Sequence, residues 1–453
     1  MKKNLINLKD EDIYTLFIKI AIPSSIGTIF QNLYSVVDSI FAGQMISKEA
    51  LAAIGQVFPI YFIIIALGVG ISIGTTSLIA NSIGENNKLK AGNVVIQSLI
   101  VAILISVIVS IFGLTFSNTL ISSMNNDKDL LYLSNEYMRI IFIGSIFIFI
   151  LMALNSSLSA QGDTKSYRNV LIFSFFLNII LNPIMISGKI YNFQLFNGLG
   201  ISGIAYATII SNFVGVFYLF YKVQKSEIYK YTKFTIVPNI KIILNILNHG
   251  IPASIGMMMI ALGSYILIFF VAIFGSNAVA GYTSAGRYEQ LFFLPLLGLS
   301  TAVISIVGQN YGAKNYERVL ETYNKALLVG IVLQTILGFI MFITAEISMN
   351  LFTSDEKVKQ FGYNYLKITA LMFPAFPFFF FGNATFQGLK LPAIVMYMAI
   401  LRFVIIPTII IYFIINKIDQ NYNYMFYGLV IMHWVIAILY YNFCKIKFNK
   451  ILK

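Results

Sequence analysis

Long apolar runs separated by short polar connections recur from one end of the chain to the other. Crossing about 30 Å of hydrocarbon takes about 20 helical residues, with a range of about 17–25, and twelve stretches reach that range. They run approximately over 16–41, 52–83, 94–120, 137–159, 170–186, 201–221, 242–274, 278–307, 326–352, 361–389, 393–415 and 424–444. The runs are continuous and do not alternate, so helices, not barrel strands, are what satisfies their backbone in lipid. The expected fold is an all-α integral membrane protein with twelve transmembrane helices. The tenth span contains Pro374 and Pro377 within an aromatic run from Phe373 to Phe381. Proline frees backbone groups, so a broken helix is expected there.

The pattern is also duplicated. At a shift of 228 or 229 residues, Ile22 to Gly27 aligns with Ile251 to Gly256, Gly70 and Ser72 with Gly298 and Ser300, Gly84 and Asn87 with Gly312 and Asn315. Tyr137, Arg139 and Asn155 align likewise with Tyr365, Lys367 and Asn383. The shift contains an even number of spans, which gives two like-oriented six-helix bundles related by an axis along the membrane normal. The expected divisions are an N-terminal lobe over 1–222, a basic linker over 223–241 and a C-terminal lobe over 242–453. Such bundles, meeting around a central cavity, can rock and expose it alternately to either side. No Gly-rich phosphate loop ending in Gly-Lys-Ser/Thr is present, which favours ion coupling over nucleotide hydrolysis.

Composition supports the membrane assignment. Of 453 residues 58% are hydrophobic and 11% charged, against about 45–50% and about 25% in soluble domains. Lys and Arg total 31 and Asp and Glu 18, for a net charge of +13. Placing both termini and the even-numbered connections on one side collects 21 cations there against 6 opposite. That bias puts both termini in the cytoplasm of a multi-pass cell-membrane protein, with the cations as topological anchors at the lipid surface. They lie on no polar soluble face, which argues against a nucleic-acid partner. One cysteine, Cys444, and two distant histidines, His249 and His433, exclude a disulfide framework and make a metal site improbable. Asp10, Glu11 and Asp12 before the first apolar run speak against a cleaved signal peptide. No cofactor beyond a coupling ion, H+ or Na+, and no obligatory protein partner is implied.

Against this background, acids inside spans stand out, since an ionised side chain there costs at least about 2–3 kcal/mol and faces a cavity or a partner. Asp38 lies in the first span and Glu289 in the eighth, two residues beyond Arg287. Gln31, Tyr34, Ser35 and Asp38 share one helical face by their i, i+3, i+4, i+7 spacing. Asn178 and Asn182 are neighbours on the fifth span. Asp38 lies six residues before Gln44 and Asn182 six before Gly188, each about 9 Å from an outer end at about 1.5 Å per residue, so they can meet at one depth. A carboxylate among amides can bind a proton reversibly, or a cation when ionised. A polar pair that only ties helices together is the competing reading. Arg287 and Glu289, two residues apart, point to different sides of a regular helix and need not pair. The 40 Phe, 27 Tyr and 16 Met offer stacking, cation–π and adaptable apolar contacts to organic cations, although packing accounts for most of them.

Several segments resemble the MATE (multidrug and toxic compound extrusion) transporters. They are Ile22-Pro23-Ser24, Asp38 to Gly43, Ala50 to Gly55, Ala280-Gly281-Tyr282, Gly286 to Gln290, Leu294 to Ser300 and Val307 to Lys314. The resemblance covers essentially the whole chain. It implies an antiporter, not an enzyme, that expels cationic or amphipathic organic compounds against a proton or sodium gradient. It carries coupling and substrate contact onto Asp38, Gln31, Tyr34, Asn155, Asn178 and Asn182. Asn383 is the repeat counterpart of Asn155, and Glu289 is the second candidate for ion coupling. Many relatives have Asp-Pro in the fifth span where this chain has Asn182-Pro183, which leaves Asp38 without a second carboxylate. The seventh and tenth spans contain no acid, which favours proton over sodium. A flippase for lipid-linked saccharide or lipid, of the same wider superfamily, is the alternative; it calls for a cavity rich in Arg and Lys, and mainly Arg287 and Arg402 lie deep in spans.

Overall fold

The computed structural model describes residues 6–124, 127–191, 193–232, 237–417 and 421–452. Lys2, Lys3, Lys233 and Lys453 of the cation count, and positions 233–236 of the linker, lie outside the described residues. The first half comprises α1 (Ile13–Phe41), a π-helical turn (Ala42–Ile46), α2 (Lys48–Gly84), α3 (Lys88–Ser122), α4 (Lys128–Ala160) and α5 (Lys165–Ser187). A short antiparallel pair, β1 (Lys189–Ile190) and β2 (Phe193–Gln194), then leads to α6 (Ile201–Gln224). The second half begins with α7 (Ile240–Ala272), α8 (Ser276–Leu291), α9 (Leu294–Gly312), α10 (Tyr316–Phe352) and α11 (Glu356–Ala370). It continues through α12 (Phe376–Gly388), α13 (Pro392–Ala399), a π-helical turn (Ile400–Ile405), α14 (Ile406–Lys417) and α15 (Tyr422–Ile451).

Among the described residues ten helices are long and apolar enough to cross a membrane, α13 and α14 counting as one through their π turn, and two bent pairs, α8 with α9 and α11 with α12, bring the number to twelve when each pair is one span. The pairs bend by 45° and 42°. The second bend is the one that Pro374 and Pro377 foretell. The first falls where Pro295, in the opening turn of α9, supplies no amide hydrogen to continue α8. Each bend frees a carbonyl that a neighbouring helix satisfies. Gln334 of α10 donates Nε2 to the carbonyl of Phe292 at 3.0 Å, and Trp434 of α15 donates Nε1 to that of Leu371 at 3.0 Å. The polar connections serve as caps: Asn87 accepts from the Lys90 amide at 2.9 Å, and its repeat counterpart Asn315 from the Arg318 amide at 3.3 Å.

The chain divides into two compact units, Ile26–Ser254 and Met1–Ser25 with Ile255–Lys453. The divisions fall inside α1 and α7, so each unit includes the opening turns of a helix whose remainder belongs to the other. In the first unit the opening turns of α7 lie on α2. A Cβ on Gly70 would come within 2.3 Å of the Ser254 amide nitrogen, and one on Gly74 within 2.7 Å of the Gly250 amide nitrogen. Glycine four residues from glycine, facing glycine four residues from serine, lets two membrane helices approach at backbone distance. The rest of its core is mainly aliphatic, with Ile64, Met138, Ile141 and Ile204 buried together beside Phe142 and Phe149. In the second unit Gly298 of α9 receives the opening turns of α1 in the same way, its position lying 2.8 Å from the Ser25 amide nitrogen if a Cβ were added. That unit's core is aromatic, with Phe373, Phe379, Phe381, Phe386, Phe426 and Phe448 fully buried.

Candidate functional site

In the Ile26–Ser254 unit, Asp38 sits three residues before the end of α1 and is 4% exposed. Asn182 of α5 donates Nδ2 to Asp38 Oδ1 at 2.9 Å, and Thr208 of α6 donates Oγ1 to Asp38 Oδ2 at 3.1 Å. The Asn182 Nδ2 group also reaches Asn178 Oδ1 at 3.0 Å, one turn back along α5. Tyr34, one turn before Asp38, donates its hydroxyl to the Thr208 carbonyl at 3.4 Å. The depth match read from the sequence between Asp38 and Asn182 is therefore a direct hydrogen bond. Asn178 and Asn182 are fully buried, and the Nδ2 of one and the Oδ1 of the other have no hydrogen-bond partner.

Both donors to Asp38 are neutral. Among the described residues no Lys, Arg or His forms an ion pair with it. Two dipoles solvate the carboxylate but leave its charge in place, and a proton or a bound cation would neutralise it.

The other sequence candidates are placed unevenly. Ser35 is exposed and turned onto its own helix, donating to the Asn32 carbonyl at 2.9 Å, so the polar face of α1 splits between Asp38 and solvent or lipid. Gln31 is half-buried on α1. Asn155 accepts from Ser159 at 3.1 Å along α4. In the second unit Asn383 accepts from the Tyr440 hydroxyl at 2.6 Å. Glu289 is buried, and the Tyr365 hydroxyl donates to its Oε2 at 2.5 Å, with the Tyr282 ring packed edge-on against Tyr365 at 5.1 Å. Arg287 is exposed, on a different side of α8 from Glu289. Thr208 was not singled out by sequence. Its signal was present in Thr208, Ser211 and Asn212, three polar residues at i, i+3 and i+4 on one face of an apolar span.

A duplicated, twelve-span helical protein with an acid buried in its first span belongs to the class of polytopic membrane transporters. The family pattern of MatE matches residues 23–184 and again 252–413, two segments that start 229 residues apart. The chain belongs to the MatE family. It is 30% identical over 373 residues to a probable multidrug resistance protein NorM of Thermotoga maritima, covering 82% of this chain and 78% of that one. It is 26% identical over 443 residues to the multidrug export protein MepA of Staphylococcus aureus, covering 95% and 93%. Among solved structures, an outward-facing MATE family transporter of the MOP superfamily superposes with a TM-score of 0.90 at 27% identity, over 100% of this chain and 99% of that one.

Proposed function

We propose that this protein is a secondary active antiporter that exports organic cations or amphipathic drugs against a proton gradient, in preference to a sodium gradient, by alternating access. The observation that carries this reading is the Asp38 carboxylate, buried in a span and held by the neutral groups of Asn182 and Thr208. Protonation removes a charge that costs at least about 2–3 kcal/mol in a span. Deprotonation restores an anion able to attract an organic cation. One carboxylate that carries either a proton or a cation, but not both, couples the two fluxes in opposite directions.

In this reading Gln31, Tyr34, Asn178 and Asn182 contact substrate in the N-terminal half, together with Asn155, and Asn383 contributes in the C-terminal half. Glu289, which accepts a hydrogen bond from the Tyr365 hydroxyl, is the second protonatable group. The rocking lobes correspond to 1–222 and 242–453, joined by the 223–241 linker, with both termini cytoplasmic. The names of the relatives, a multidrug resistance protein and a multidrug export protein, support the substrate class.

The test is efflux of a cationic dye from proteoliposomes under an imposed pH gradient and, separately, an imposed sodium gradient. Efflux driven by the pH gradient alone is expected. Efflux driven only by sodium, or by neither gradient, would overturn the reading.

A further inference from the structure

The second unit holds a charged side chain that the coupling reading does not use. Arg402 lies in the π-helical turn Ile400–Ile405, between α13 and α14. An inserted π turn displaces side chains from the regular helical pattern, and such turns are common at functional sites. Here Leu401 and Ile405 are each 43% exposed while Arg402 is 4% exposed. The guanidinium carbon lies 3.7 Å from the centre of the Phe379 ring, 4.8 Å from that of Phe403 and 5.2 Å from that of Phe376. The His433 ring joins the same cluster, 5.6 Å from Phe376, with its Nδ1 committed to the Leu429 carbonyl at 2.8 Å.

Among the described residues, what this cluster lacks is an anion. The helices that build it, α12, α13, α14 and α15, contain no Asp or Glu. No ion pair among the described residues involves Arg402. Its Nε and Nη2 are buried without a hydrogen-bond partner. These two nitrogens lie along one edge of the guanidinium, the fork that receives two oxygens of a carboxylate or phosphate in parallel. Stacking on Phe379 fixes the plane of the group and leaves that edge buried and unpaired. A charge buried without a partner is costly, and a ligand oxyanion would supply the partner the protein omits.

We infer that Arg402, with Phe376, Phe379, Phe403 and His433, forms an oxyanion-binding site for amphiphilic aromatic compounds that carry a carboxylate. The carboxylate meets the Nε and Nη2 edge and the aromatic body meets the phenylalanine rings.

The experiment is equilibrium binding of two dyes to the purified full-length protein in phosphatidylcholine nanodiscs, read by fluorescence anisotropy. Rhodamine 110 carries a free carboxyl group, and rhodamine 123 is its methyl ester. Arg402→Met keeps an unbranched apolar stem and removes the charge and the donors, and is expected to weaken rhodamine 110 by about tenfold or more, the scale of a bidentate charge-assisted contact. Rhodamine 123 is expected to stay within about twofold. Arg402→Lys, which keeps the charge but not the fork, is expected to fall between the wild type and Arg402→Met for rhodamine 110 and covers the case in which the methionine variant does not fold. Equal losses for both dyes, or none for rhodamine 110, would overturn the site. So would displacement of rhodamine 110 by phosphatidylglycerol in the nanodisc, which would assign the fork to a lipid phosphate. The readout is binding without a gradient, so its failure leaves the antiport reading standing.

Discussion

Replacing Asp38 by Asn removes one charge and almost nothing else. The two side chains have the same shape, and the amide can keep both contacts: its oxygen accepts from Asn182, and its nitrogen donates to Thr208, whose hydroxyl accepts as readily as it donates. A hydrogen bond to a charged group contributes about 1.5–3 kcal/mol and a neutral one about 0.5–1.5, so two of them lose together about 2–3 kcal/mol. Against that, the variant no longer buries an ion, which saves at least about 2–3 kcal/mol on insertion scales. The opposing contributions nearly cancel, and thermal unfolding of Asp38→Asn in detergent is expected to match the wild type within about 1 kcal/mol. Function is expected to behave otherwise. With no group at this position able to exchange a proton, gradient-driven efflux of a cationic dye from proteoliposomes should fall to that of protein-free vesicles. The reasoning fails if a variant reconstituted in equal amount and equally stable transports at the wild-type rate.

Three further outcomes follow from geometry. Tyr365→Phe deprives the buried Glu289 of its donor and is expected to cost about 1–3 kcal/mol in thermal unfolding; a cycle with Glu289→Gln should show non-additivity, and strictly additive shifts would sever the pair. Gly70→Ala places a Cβ 2.3 Å from the Ser254 amide nitrogen and is expected to cost about 1–3 kcal/mol by overpacking, whereas Gly55→Ala, with nothing within 4 Å, should be neutral or slightly stabilising; equal melting shifts for the two would refute the close helix crossing. Outside the membrane, the hydrogen bond from Lys19 holds the Glu11 carboxyl below its ordinary range. A group with a lowered folded pKa contributes stability at neutral pH and loses it as pH falls through that value. Lys19→Ala should therefore slightly reduce the acid sensitivity of the melting temperature, and an unchanged acid profile would count against the contact.

Much of the architecture was legible because lipid imposes simple rules. Length, continuity and duplication of the apolar runs specify twelve spans in two repeats, and the two matched family segments follow the same offset as the repeat. Pro374 and Pro377 marked one broken span. The bend between α8 and α9 was less visible, because Pro295 lies in an otherwise unbroken apolar stretch. In the site, rarity did the selecting: a carboxylate in a span is conspicuous, and helical rise brought Asn182 to its depth. Thr208 escaped notice because a hydroxyl in a membrane helix commonly bonds its own backbone and carries no sign of a distant partner. Arg402 was visible as a charge, but nothing in the spacing indicated a π turn or the unfilled edge of its guanidinium. Nor does hydropathy say which bundle a helix packs on, since lipid-facing and helix-facing surfaces are equally apolar.

The opening turns of α1 and α7 are counted with the unit that does not hold the rest of their helix, so neither half of this chain is a self-sufficient piece. A polypeptide ending in the linker would lack the Gly250 and Ser254 surface that covers Gly70 and Gly74, and its complement would lack the Ser25 turn that lies on Gly298. Each fragment would therefore be missing part of its own interior, and the two should yield folded protein only when made together. The same reciprocity bears on descent. If the duplication arose from one ancestral half, that ancestor could have completed its packing as a pair of subunits trading the first turns of their leading helices, an exchange that fusion then made permanent.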